Sequence, residues 1–208
     1  MDSVSFLRAV ITPSFQVACP HSVAVAAAMA ACVRVQKRKG EITAEDMAEL
    51  NDAVVHEIPL SLELATAYCK IVNRIVWGTK AREQNRITAG VATVALVLTA
   101  MTSHVEDADV QSKGADALAG LAFQNPVNIA GMLALGAPDS LYTAADTHIA
   151  SRNVQRSMCW ALYRISCSSA DGKETLIAGR AAEVATRAKN LYPGSYTDLL
   201  LSLLSVLN

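Results

Sequence analysis

Two stretches of this chain can be laid on each other: VQSKGADALAGLAFQNPVNIAGMLALGA, from Val110 to Ala137, and VQRSMCWALYRISCSSADGKETLIAGRA, from Val154 to Ala181. A chain that repeats at this distance builds one supersecondary unit more than once, and each unit buries its apolar face on the next. Val-Gln opens both copies, Ala117-Leu118 matches Ala161-Leu162, and Leu121 matches Ile165. With one residue fewer in the second copy, Gly136 matches Gly179. A third copy lies upstream, where Ile75 is followed by Asn85-Arg86 and Ala89-Gly90. The interval from the apolar residue to the glycine is 15, 15 and 14 residues, and the glycines recur at 46 and 43 residues. That period falls in the roughly 40–47-residue range of helical HEAT and armadillo repeats.

Each copy reads as three helices. Val110 to Phe123 places Val110, Ala117, Leu118 and Leu121 on one helical face, and Asn125-Pro126 stops it. Pro126 sets φ for the first turn of a shorter helix, Val127 to Leu135, that ends at Gly136; Pro138 and Asp139 begin the next. In the last full copy the corresponding helices are Arg152 to Cys167, Asp171 to Ala178 and Ala181 to Asn190. After the Pro193-Gly194 break, Ser195-Tyr196-Thr197-Asp198 resembles a capping box that opens a final helix, Tyr196 to Leu207. Ser195 follows Arg152 by 43 residues, which makes this helix the truncated repeat that caps the stack. Upstream, Ser22 to Lys37, Ala44 to Glu57 and Ser61 to Trp77 read as three more helices, with Thr43 as an N-cap and Pro59 as a breaker. The expected fold is therefore all-α, with long helices near 62–77, 109–124, 152–167 and 196–207 stacked side by side. One domain covers 1–208, with a weakly structured segment over 1–20 and the capping helix over 195–208.

Composition narrows the function. Lys+Arg number 18 against 19 Asp+Glu, so no whole-molecule field draws nucleic acid or an anionic membrane. The basic run Lys37-Arg38-Lys39-Gly40 reads as a solvated helix end. The uncharged runs Ser22 to Val33 and Ile87 to Ser103 fall short of the roughly 20 apolar residues of a membrane span. Five cysteines without a CxxC pair fit reduced core positions, and a start with Asp2 and one early basic residue fits neither a secretory signal nor a transit peptide. The expected location is the cytoplasm, with the nucleus as the alternative. His21, His56, His104 and His148 stand apart from each other and from cysteines, and no GxSxG, GxGxxG or Walker-type loop occurs. Glu106, Asp107 and Asp109 read as the capped N-terminus of the helix starting near Val110. No enzyme activity, cofactor or metal is expected.

NPVNIAGMLALGAP, from Asn125 to Pro138, resembles the armadillo pattern in which an Asn-rich turn leads into a short helix closed by Gly-Ala. VQRSMCWALYRIS, from Val154 to Ser166, resembles the third armadillo helix, and the likeness covers about Ser61 to Asn190. The resemblance implies a right-handed α-solenoid of three to four three-helix repeats, whose third helices line a concave groove for extended peptides. In the nuclear-import adaptors of this family a Trp, and an Asn one turn later, clamp a basic localisation signal. The matching pairs here are Trp160 and Arg164, Asp116 and Gly120, and Lys70 and Arg74. The Trp occurs once and the Asn never, and Arg74 and Arg164 would repel a Lys-rich peptide. A groove bearing Lys70, Arg74, Asp116, Trp160 and Arg164 is closer to the catenin-like arrangement, in which basic and amide side chains hold acidic tails.

The last helix carries apolar residues nearly all round: Leu199, Leu200, Leu201, Leu203, Leu204, Val206 and Leu207. At least two of Leu200, Leu203, Leu204 and Leu207 are expected to stay exposed as a docking surface for a partner or for a second copy. The leading expectation is a non-catalytic adaptor that binds an extended acidic segment of another protein. The alternative is a structural subunit of a cytoskeletal, axonemal or trafficking assembly that uses its apolar terminal helices.

Overall fold

A computed structural model describes residues 20–37, 42–77, 82–193 and 195–205. Among these every regular element is helical and no strand occurs. In order they are α1 (Pro20–Lys37), α2 (Ala44–Val54), a 3-10 turn (Ile58–Leu60), α3 (Leu62–Trp77) and α4 (Arg82–Ser103). Then follow α5 (Ala108–Ala122), α6 (Pro126–Ala134), α7 (Ala137–Thr147), α8 (Arg152–Ser168), α9 (Ala170–Ala178), α10 (Ala181–Leu191) and α11 (Ser195–Ser205). The segment 1–19, expected to be weakly structured, lies outside the described residues, as do Arg38-Lys39-Gly40 and Leu207.

Short polar side chains start most of these helices. Asp107 accepts a bond from the Val110 amide at 2.8 Å, Asn125 from Asn128 at 3.0 Å, and Ser169 from Gly172 at 3.2 Å. Thr43 and Asp46 cap each other reciprocally, as a capping box does. The Asp107 and Thr43 caps, with Pro126 in the first turn of α6, sit where the sequence places them. Gly136 ends α6 with φ of 69°, a left-handed conformation open to glycine at no steric cost. Gly90 kinks α4 with φ of 63° in the middle of an otherwise continuous helix. Because α4 begins at Arg82 and continues past the kink, it is longer than the expected Ile87–Ser103 run. It is long and apolar enough to cross a membrane by length and composition, yet Val94, Val97 and Met101 are buried in the core.

The long helices pack in succession, α3 on α5, α5 on α8 and α8 on α11, and these are the most extensive contacts after which the shorter helices follow. α4 packs against α6 and α7, α6 against α9, and α7 against α10. Leu118, Leu121, Leu162 and Ile165 are fully buried between the long helices, each worth roughly 1.5–3 kcal/mol relative to exposure. Ala117 and Ala161 at matched positions are equally buried and let the helix axes approach.

Polar groups repeat with the same period. Gln111 Nε2 donates to the Met101 and His104 carbonyls at 2.8 and 3.0 Å; Gln155 Nε2 donates to those of Ala145 and His148 at 2.7 and 3.1 Å. Each glutamine thereby bonds one carbonyl in the last turn of the preceding helix, that of Met101 or Ala145, and adds a second bond to the His104 or His148 carbonyl, which also accepts from the Asp107 or Ser151 amide. His104 donates from Nε2 to the Ile58 carbonyl at 2.8 Å, His148 to that of Val105 at 2.7 Å, and the Tyr192 hydroxyl to that of Ala150 at 2.8 Å. These three donors stand 44 residues apart, and each bonds a carbonyl 42 to 46 residues before it.

Candidate peptide-binding site

The ends and middles of the long helices bring four aromatic rings into one line. Trp77 closes α3, Phe123 caps α5, Trp160 lies in the middle of α8, and Tyr196 opens α11. Trp77 stands 5.5 Å from Phe123 and 6.3 Å from Trp160 between ring centres, and Trp160 stands 4.4 Å from Tyr196. Trp77 reaches α8 across α5 because Gly120 presents no side chain there; a Cβ on Gly120 would lie 2.6 Å from Trp77 Nε1. Such ring pairs add about 0.5–1.5 kcal/mol beyond their buried area.

Above this line is an open concavity of about 390 Å³, lined by Asn73, Arg74, Trp77, Asp116, Arg156, Trp160 and Tyr196. It gathers Arg74, Asp116 and Trp160 from three different helices, three of the five residues the sequence assigns to a groove. Lys70 is not among the lining residues; its ammonium pairs with Asp109 at 2.9 Å on the surface, where such a bond contributes little. Arg164 is also not among them. Its guanidinium carbon lies 3.9 Å from the Trp160 ring centre, 4.2 Å from Phe123 and 5.6 Å from Trp77, so its charge is spent on aromatic faces inside the protein. Asn73 Oδ1 is buried in the wall with no hydrogen-bond partner among the described residues.

The charges divide cleanly. Among arginines with described side chains, Arg34, Arg180 and Arg187 sit in ion pairs, and Arg86 and Arg164 lie over aromatic rings. Arg74, Arg152 and Arg156 have no carboxylate within ion-pair distance and no ring beneath them among the described residues. Arg74 and Arg156 flank the concavity, with Asp116 as its one lining carboxylate. Asp146, by contrast, is partly buried, which opposes ionisation, but bonds from Arg180 and Arg187 outweigh this and hold its carboxyl below the usual range.

The expected docking surface on α11 is corrected. Leu200 and Leu204 are buried and Leu203 is half-buried, while Leu207 lies outside the described residues. The cause is that α11 packs against both α8 and α10, so two neighbours cover a circumference that one would leave open. Leu199 is the exposed leucine of this helix, at 45%. The side chain of Ser195, expected as an N-cap, lies outside those described.

Asn73, Trp77, Arg156 and Tyr196 are the site residues that sequence reasoning missed. Trp77 and Phe123 each stand two residues after the matched Ile75 and Leu121, an aromatic pair in register that could have marked the shared surface. Comparison with family models, with curated proteins and with solved structures gives no match to this chain.

Proposed function

We propose that this chain is an armadillo-like right-handed solenoid of three to four three-helix units that binds an extended acidic segment of another protein and catalyses no reaction. The observation that carries the reading is the concavity in which two unpaired arginines, Arg74 and Arg156, flank the rings of Trp77 and Trp160. Exposed guanidinium groups on aliphatic stems favour carboxylates, and the aromatic floor excludes water around them. The successive packing of the long helices and the 44-residue recurrence of His104, His148 and Tyr192 support the repeat architecture. A structural subunit that docks through its last helix draws less support, because Leu200 and Leu204 are committed to the core.

Trp77 and Trp160 are the two tryptophans of the chain, so intrinsic tryptophan fluorescence reports on this concavity alone. Titration with a short Glu-rich peptide should shift the emission saturably, and the shift should weaken with added salt. A Lys-rich peptide that shifts the emission equally well would contradict the reading.

A further inference from the structure

A second, smaller cavity of about 120 Å³ adjoins the concavity and shares Arg156 and Tyr196 with it. Its other lining residues include Arg152 from the first turn of α8, and Tyr192, Pro193 and Thr197 from the α10–α11 junction. Arg152 and Arg156 are one turn apart on the same helix face. Like charges at this spacing destabilise a helix by a few tenths of a kcal/mol. Neither has a carboxylate partner among the described residues, although the chain carries 19 acidic residues and pairs Arg34, Arg180 and Arg187 with them. The three unpaired arginines with described side chains, Arg74, Arg152 and Arg156, thus all line these two adjoining cavities.

The two cavities differ in what they fit. The larger is open and suits a stretch of extended chain. The smaller is of side-chain size, and Arg152 and Arg156 both line it. A carboxylate offers two oxygens and a single charge, which one guanidinium satisfies in a bidentate pair; a phosphate monoester offers three oxygens and nearly two charges. We infer that the cavity between α8 and the α10–α11 junction is a subsite for a phosphorylated serine or threonine of the bound segment, held by Arg152 and Arg156. This rests on the acidic-segment reading of the adjoining concavity.

The test uses the full chain and three short fluorescein-labelled peptides, rich in Glu and Gly, that differ only in a central Ser, Glu or phosphoserine. Fluorescence anisotropy should show the phosphoserine peptide binding about tenfold or more tighter than the Glu peptide. Arg152→Gln should abolish that preference and leave the Glu peptide's affinity unchanged, since Arg152 lines the small cavity and not the concavity; Arg152→Lys should restore part of it. Circular dichroism confirms that both variants fold, as the exposure of Arg152 leads one to expect. Equal binding of the Glu and phosphoserine peptides, or an Arg152→Gln effect equal on all three, overturns the subsite while leaving the concavity's role intact. Binding of the phosphoserine peptide alone, erased by Arg152→Gln, upholds the subsite and removes the acidic-segment reading; binding of none removes both.

Discussion

The Arg164 guanidinium carbon stands 3.9 Å from the centre of the Trp160 ring, one turn earlier on the same helix, with Phe123 and Trp77 on its other sides. An arginine held this way is a structural cation, whereas Arg74 is exposed with no carboxylate or ring partner among the described residues. Arg164→Ala should therefore cost about 1–2 kcal/mol of stability through lost cation–π contact and packing. Arg74→Ala should change stability by less than about 0.5 kcal/mol. Urea denaturation of the two variants measures the contrast; equal losses would remove the distinction between the two arginines.

The paired glutamines make a sharper stability prediction. Removing the Gln155 amide leaves the Ala145 carbonyl without that bond, while the His148 carbonyl keeps its bond from the Ser151 amide, and an orphaned buried acceptor costs about 1–3 kcal/mol. Gln155→Ala and Gln111→Ala should each destabilise by about 1–3 kcal/mol, and by similar amounts, because their bonding is the same. Thermal or urea unfolding checks this.

Gly120 keeps the aromatic line continuous. Gly120→Ala would press a methyl group against the Val76 side chain and bring it to 2.6 Å from Trp77 Nε1, so both Val76 and the indole must move away from α5. The expected result is a red-shifted tryptophan emission and a loss of about 1–3 kcal/mol from overpacking. An unchanged spectrum would show that Trp77 does not lie across Gly120.

Burial pushes the thiols of Cys32, Cys69 and Cys159 up to about 12 from an ordinary value near 9. Well below pH 9 they are neutral in folded and unfolded chains alike. As the pH rises from about 9 towards 12 the unfolded chain releases protons that the folded chain retains, so stability falls. Each thiol contributes up to about 1.4 kcal/mol per pH unit to that fall. Urea midpoints at pH 8 and pH 10.5 should differ accordingly. In the native state Cys167, which is exposed, should react with a thiol reagent well ahead of these three.

Periodicity made the helices legible in the sequence. The long helices were expected near 62–77, 109–124, 152–167 and 196–207, and they run over Leu62–Trp77, Ala108–Ala122, Arg152–Ser168 and Ser195–Ser205. Asp107 and Thr43 act as the caps their positions suggested. What the pattern did not carry is how side chains from different units meet. Gly179, matched to Gly90 and Gly136, has a negative φ, because it ends its helix in extended backbone rather than in a left-handed turn. Arg164 and Arg74 occupy equivalent positions, yet one faces aromatic rings and the other faces solvent. That difference depends on Phe123 and Trp77 reaching across neighbouring helices, which no spacing within a single repeat encodes. The burial of Leu200 and Leu204 was missed for the same reason: α10 and α8 cover α11 from two sides.

The concavity flanked by Arg74 and Arg156 and floored by Trp77 and Trp160 is proposed to hold an extended acidic segment. Selection from a random peptide display library on the full chain tests it most directly, with counter-selection on the double variant Arg74→Ala/Trp160→Ala. Enrichment of Asp- and Glu-rich peptides that lose at least about tenfold in affinity for the double variant is the predicted result. Enrichment of peptides that bind wild type and variant alike, or of basic peptides, would contradict it.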